Sequence, residues 1–402
     1  YYHARHLLTF FYFYVGLIFF YKILINRFHR EEVAIFGTIL LFITPRLLGD
    51  SFQNTKDIIF LTFVIISSYY YFKIVDLPSK KNIILFSLFS AISTTIRLFG
   101  FFFPISYIIF YFIFFSKKNY YKKMVHIFLV LVLFLIFLIL FWPLLWENTV
   151  ENFLSYFKVL GDFMNVKVLF FNNYYRSNLL PYSYLPIWII ISTPIFHLIL
   201  FFLGFTTIFI RFFKRFINIK NNLIYSDFWR GKSEKKDFFI FFNFLAILCG
   251  IIFLNIKLYN SWRIAYFLYF FIIYFATFYF NLFFFQLRNI KSGYKIFARI
   301  FCIFFVLLTS YRTVIYHPYQ SLYFNVLTPN KIKNSVEVDY TGLSSIEFLK
   351  DTVRQNKNEN VIKIGVASWY PIWRMLELLN SVDSKKIRII ENSENYTSDY
   401  IY

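Results

Sequence analysis

Arg46, Asp50, Lys56 and Asp57 stand within twelve positions of one another, between two runs apolar enough to lie in hydrocarbon. Ionisable groups at the edge of a membrane segment are costly unless they serve a site. Asp50 and Asp57 are seven positions apart, so both would share one face if the stretch tightened into helix. A carboxylate there can act as general base on an acceptor hydroxyl, or hold a metal. The simpler reading of Asp57 is a helix cap ahead of the apolar run from Ile58, where a carboxylate also suits the helix dipole. Asp50 has a simpler reading too, as the partner of Arg46. Other cations fall at other span ends. Arg5 and His6 open the first apolar run, Arg97 lies in Ser93-Thr94-Thr95-Ile96-Arg97-Leu98-Phe99-Gly100, and Arg263 closes Tyr259-Asn260-Ser261-Trp262-Arg263. A lone arginine at a membrane snorkels to the headgroups. Four arginines on one face, with carboxylates between them, suit a lipid phosphate or pyrophosphate, which guanidinium grips bidentately.

The elements that must hold these groups are membrane helices. Of 402 residues 59% are hydrophobic and only 16% charged, far from the composition of a soluble domain. Apolar runs long enough to cross hydrocarbon recur over the first three quarters of the chain. Ten candidate spans fall near 7–25, 33–49, 58–75, 83–96, 98–115, 125–146, 185–210, 238–254, 263–285 and 297–315. The pair 83–96 and 98–115 also reads as one bent helix. Aromatic residues make up 25% of the chain, but Phe, Ile, Tyr, Lys and Asn together point to an AT-rich coding bias rather than to carbohydrate stacking. Cys249 and Cys302 sit in apolar runs and are expected as buried thiols without a disulfide.

The net charge of +21 is explained by placement. Connections 26–32, 76–82, 116–124, 211–237 and 286–295 carry most of the lysine and arginine, and the opposite set about half as many. The positive-inside rule puts the first set in the cytoplasm and makes the excess a topology signal and a lipid anchor, which leaves nucleic acid a poor explanation. Residues 1–6, 44–57, about 97, 147–184, 255–262 and those after 316 then face the outer side, periplasmic or lumenal. Past Tyr316 the composition shifts to strand-like runs, Val361–Val366 and Lys386–Ile390, around an amphipathic Ser344–Asn356. The expected fold class is a polytopic α-helical membrane protein of about ten spans, residues 1–316, with a small α/β soluble domain at 317–402. Tyr1 is not Met and Asp399-Tyr400-Ile401-Tyr402 stops inside a strand-like run, so the chain reads as a fragment at both ends.

The long loop 147–184 offers a second surface. Glu151 to Leu160 has amphipathic helical spacing suited to an interface. Glu147, Asn172 and Tyr182, with Tyr259 from another loop, are candidates for sugar or acceptor binding, although an interfacial aromatic belt explains the tyrosines nearly as well. No Cys/His metal spacing, glycine-rich phosphate loop or Ser/His/Asp arrangement stands out. The sequence assigns no cofactor, and a divalent metal is left open.

Read in order, several segments resemble a known family. They are Arg5-His6, Pro45-Arg46-Leu47-Leu48-Gly49-Asp50-Ser51-Phe52-Gln53-Asn54-Thr55-Lys56-Asp57, Thr95-Ile96-Arg97-Leu98-Phe99-Gly100 and Trp142-Pro143-Leu144-Leu145-Trp146-Glu147-Asn148. Leu180-Pro181-Tyr182-Ser183-Tyr184-Leu185-Pro186, Trp262-Arg263 and His317-Pro318-Tyr319-Gln320-Ser321-Leu322-Tyr323-Phe324-Asn325 follow, with Asp339-Tyr340. Together they resemble the bacterial lipid-carrier-dependent glycosyltransferases of the protein O-mannosyltransferase-like, C-type superfamily (glycosyltransferase family 39 in the broad sense). The resemblance implies a multi-pass enzyme of the bacterial inner membrane that takes a sugar from a polyprenyl-phosphate donor. It also implies transfer on the periplasmic face with inversion at the anomeric carbon. It implies that the main catalytic acid sits in a first outer loop, which would lie upstream of Tyr1. By position Asp57 looks like the second acidic residue that assists it, and Arg97 like a donor-phosphate contact. Trp262-Arg263-Ile264 departs from relatives, which often carry His after the arginine.

The expected site is therefore Asp57 and Asp50 as catalytic carboxylates, with Arg5, His6, Arg46, Lys56, Arg97 and Arg263 on the donor phosphate. The expected partners are the lipid-linked donor, an acceptor of unknown class and membrane lipid. A flippase or other transporter of lipid-linked sugars is the alternative, and would place polar residues at mid-bilayer in paired broken helices. A polymerase for such sugars is another.

Overall fold

In the computed structural model the described residues are 2–113, 120–162, 165–217, 231–286, 292–356, 361–366, 370–390 and 398–402. The chain clusters into two units, 1–167 with 175–329 and 168–174 with 330–402.

The first unit is helical. Its helices are α1 (Tyr2–Phe28), α2 (Glu31–Phe42), α3 (Pro45–Gln53), α4 (Thr55–Asp76), α5 (Lys80–Ile96), α6 (Phe102–Ile113) and α7 (Tyr120–Phe141). They continue as α8 (Thr149–Asp162), α9 (Tyr184–Ser192), α10 (Ile195–Ile217), α11 (Gly231–Phe253), α12 (Leu268–Asn281) and α13 (Ser292–Ile315). Among the described residues seven helices are long and apolar enough to cross a membrane, or up to eight if α2 and α3 are joined. Ten spans are therefore not shown among the described residues, and the breaks in the apolar runs are local. The run 33–49 breaks at Thr44-Pro45, where α3 leaves α2 at 66°, since proline cannot continue a helix but suits its first turn. The run 83–115 breaks at Arg97, the extended residue between α5 and a 3₁₀ turn at Leu98–Phe101. The run 185–210 breaks at Thr193-Pro194 into α9 and α10. Much of the basic content of 116–124, 211–237 and 286–295 lies outside the described residues. Both cysteines are free, but Cys249 is exposed on α11 while Cys302 is buried.

Helix α12 is apolar all round and buried along nearly its whole length, as expected of a central helix. Rings fill the space around it: Phe20 meets Phe270 at 5.7 Å, Phe60 meets Phe267 at 4.9 Å and Phe244 meets Phe275 at 5.6 Å. At one end of the bundle a buried polar network ties the helices. Arg27 of α1 forms a fork on Asp237 of α11 at 2.6 and 2.5 Å, and the Tyr274 hydroxyl of α12 donates to the same carboxylate at 2.7 Å. Beside it Lys236 Nζ donates to Asn26 Oδ1 and Asp76 Oδ1 at 2.7 and 2.6 Å, which brings in α4.

The other end holds α3. Gly49 lies so close to the 3₁₀ turn Gln320–Leu322 that a Cβ would stand 2.6 Å from the backbone nitrogen of Ser321. Gln53 Nε2 donates to Ser321 Oγ at 3.3 Å across the same contact. Gly49→Ala is expected to push the two apart and cost about 1–3 kcal/mol, read as a lower midpoint of thermal unfolding in detergent. An unchanged midpoint would show that the turn yields freely.

In the second unit three parallel strands, β3 (Ile362–Gly365), β4 (Ile387–Ile390) and β5 (Tyr400–Ile401), lie in the order β4-β3-β5. Helix α15 (Ser345–Gln355) packs Leu349 and Val353 onto Ile362 and Ile364. Short helices α14 (Asn330–Lys333) and α16 (Ser381–Lys386) complete it. The hairpin β1 (Lys167–Phe170) and β2 (Asn173–Arg176) turns at Phe171-Asn172 with φ of 50° and 61°, the two positive values that such a two-residue turn requires.

Candidate active site

Asn54 is the hinge of the site. It ends α3 and caps α4, its Oδ1 accepting the backbone N–H of Asp57 at 3.1 Å, the usual task of asparagine at that position. Its Nδ2 donates to both carboxylates, Asp50 Oδ2 and Asp57 Oδ2, each at 2.8 Å. Asp50 and Asp57 therefore meet across a helix break, not on the face of one helix. The Asn-x-x-Asp spacing ahead of an apolar run is the signal that would have singled Asn54 out.

Both carboxylates are buried, Asp50 with 5% and Asp57 with 2% of its surface exposed. Arg97, from the break after α5, donates Nε to Asp57 Oδ1 at 2.7 Å and Nη2 to the same oxygen. Arg263, from the 3₁₀ turn Arg263–Ala265, places Nε 3.4 Å from Asp57 Oδ2 without aligning for a hydrogen bond. Lys56 faces Asp57, Arg97 and Arg263, and is exposed. Arg97 is thus committed to Asp57, while Lys56 and Arg263 keep their N–H groups for something else. Tyr259 lies under Arg263, ring centroid to Cζ 5.9 Å.

Arg46 is placed differently. With 2% of its surface exposed, it donates Nε to the Tyr323 carbonyl at 2.8 Å and Nη1 to Ser261 Oγ at 3.1 Å. Trp188 and Phe324, neighbouring rings, pack against its guanidinium at 5.0 and 5.1 Å. Asp50 takes its hydrogen bond from Asn54 and not from Arg46. The Tyr266 phenol faces Arg46, Ser261 and Asp50; burial raises it above its ordinary value against the pull of Arg46, so it stays a neutral hydroxyl.

The structure thus gathers Asp50, Lys56, Asp57, Arg97, Arg263 and Tyr259, with Arg46 behind them. Arg5 and His6 sit at the same end, since Phe10 of α1 stacks on Phe52 of α3 at 4.8 Å, but Arg5 is exposed and His6 half-buried. Glu147 is exposed, and its carbonyl accepts Asn152 Nδ2. Tyr182 is exposed beside Phe253, on the rim of a shallow, mostly apolar groove lined by Leu180, Leu185, Ile251 and Leu258. Asn172 belongs to the second unit, in the turn of its hairpin. The residues missed by sequence are Asn54, Ser261, Tyr184 and Tyr266. All are neutral groups, and for Ser261, Tyr184 and Tyr266 the partners come from distant parts of the chain.

Among the described residues no group of three or more His, Cys, Asp and Glu side chains converges as a metal site. Asp57 is already committed to cations and Asn54, so the side chains present do not fit a divalent ion.

Fold and site together define a multi-pass helical membrane protein with a cation-lined carboxylate pair at one end of its bundle. Residues 6–146 match the family model described as dolichyl-phosphate-mannose-protein mannosyltransferase. Over that stretch the chain is similar to that family, and the resemblance read from the motifs is borne out. Asp50, Asn54, Lys56, Asp57 and Arg97 all fall inside the match, whereas Arg263 lies outside it. A search of curated proteins finds no match to the chain.

Proposed function

We propose that the protein transfers a sugar from a polyprenyl-phosphate donor to an acceptor hydroxyl, with inversion, on the periplasmic face of a bacterial inner membrane. The observation that carries this reading is the meeting of Lys56, Arg97 and Arg263 around Asp57, mostly within the family match. In the reaction the acceptor oxygen attacks the anomeric carbon from the face opposite the phosphate. The bond from that carbon to the phosphate oxygen breaks, its electron pair stays on the lipid phosphate, and the hydroxyl proton passes to a carboxylate. Charge grows on the leaving phosphate, where prearranged cations are most effective. Lys56 and Arg263, with uncommitted N–H groups, take the phosphate. Arg97 holds Asp57, whose oxygens are occupied by Arg97 and Asn54, so Asp57 fixes the cations in place. Asp50 keeps Oδ1 without a hydrogen bond and is the carboxylate able to accept a proton. The placement of basic connections at the far end of the bundle supports the periplasmic side.

The test uses the full-length protein in proteoliposomes with a radiolabelled polyprenyl-phosphate sugar. The expected result is label leaving the lipid in a protein-dependent way. Intact labelled lipid crossing the bilayer without losing its sugar would replace the transferase with a flippase. Lys56→Ala is expected to raise the donor KM roughly tenfold at low salt and by less at high salt, because an exposed charge is readily screened. A donor KM equal to wild type at low salt would remove Lys56 from the phosphate.

A further inference from the structure

We propose that Arg46, Tyr184 and Ser261 are positioning residues that hold a strained turn and thereby place Arg263 against the donor phosphate; this rests on the transferase reading above. Asn260 and Ser261 adopt φ of 54° and 57° in succession. The left-handed region is costly for a residue with a Cβ, and two such residues in a row persist only where the surroundings hold them. The surroundings here are specific. The Tyr184 hydroxyl donates to the Ser261 carbonyl at 2.9 Å, and Arg46 Nη1 donates to Ser261 Oγ at 3.1 Å. One residue on, Trp262 Nε1 donates to Ser192 Oγ at 2.8 Å. Tyr184, Ser261, Trp262 and Arg46 are all buried.

Arg46 can hold the turn because it is itself held, by the Tyr323 carbonyl and the faces of Trp188 and Phe324. With Trp188 and Phe324 packed against it and its side chain buried, this guanidinium does not reach a phosphate at the surface. Arg263 is the reverse case. It makes no hydrogen bond of its own, yet stands 3.4 Å from Asp57 Oδ2. Asp57 holds the end of this side chain, and the backbone that leaves the strained turn two residues earlier sets where the side chain begins. The buried arginine thus acts on the phosphate through the half-buried one.

A double-mutant cycle on donor kcat/KM tests this. Tyr184→Phe removes one hydroxyl, and Arg263→Gln removes the cation. Each is expected to lower kcat/KM for the polyprenyl-phosphate sugar roughly tenfold, with the double variant no worse than Arg263→Gln alone. Losses that multiply, or wild-type kinetics in Tyr184→Phe, would overturn the inference. A general loss of fold would lower activity in both backgrounds and so falls on the overturning side. If Tyr184→Phe does not fold, Ser261→Ala takes its place in the same cycle with the same outcomes. Wild-type protein that turns over no donor would instead overturn the transferase reading and this inference with it.

Discussion

Asp57→Asn is expected to leave a folded protein whose donor turnover falls about 100-fold or more. Asparagine keeps the shape and can still meet Asn54, but it cannot neutralise the two arginines now directed at Asp57. Arg97 would lose its counter-ion while remaining largely buried, with a side-chain exposure of 15%, and desolvated charges left unpaired relax toward water or another partner. The cations would then stand where repulsion puts them and not where the phosphate needs them. Label transfer from the donor measures the loss, and thermal unfolding in detergent shows that the protein is intact. Turnover within twofold of wild type would reduce Asp57 to a helix-start residue in an ordinary ion pair.

The second large effect lies at the opposite end of the bundle. Asp237→Asn is expected to destabilise the protein by about 3–5 kcal/mol, because it breaks a buried pair and strands Arg27. The fork at 2.6 and 2.5 Å and the Tyr274 hydroxyl at 2.7 Å make Asp237 the common acceptor for two other helices. Tyr274→Phe removes one of those bonds and should cost only about 1 kcal/mol. The midpoint of thermal unfolding in detergent separates the two variants. Equal midpoints for Asp237→Asn and wild type would show that the network does not hold the helices together.

The outline of this site was readable because charge is conspicuous in apolar sequence. Asp57, Arg97 and Arg263 stand out where almost everything around them is Phe, Ile or Leu, and the structure brings the three together. Their neutral supports carry no such mark. Ser261 is one of many serines, and its tie to Arg46 spans 215 positions. Arg27 and Asp237 were visible only as charges in connections counted for topology, since nothing local announces a partner 210 positions away. Span number failed for a different reason. A hydropathy window averages across Pro45 and Pro194, whereas the backbone breaks at both; the break at Arg97 already stood between the expected spans 83–96 and 98–115, and those at Pro45 and Arg97 deliver residues to the site. Asp50 and Asp57 show both sides of this. Their proximity was legible, but its cause was the asparagine between them and not a shared helical face.

The most direct measurement is the formation of free polyprenyl phosphate from a polyprenyl-phosphate sugar by the purified full-length protein, followed by chromatography in a single turnover. Wild type is expected to convert donor to polyprenyl phosphate and transferred sugar in equal amounts, and Arg97→Ala to do so at least ~100-fold more slowly while still folded. Absence of polyprenyl phosphate with wild type, or equal rates for wild type and Arg97→Ala, would contradict a transferase centred on the Asp57 cluster.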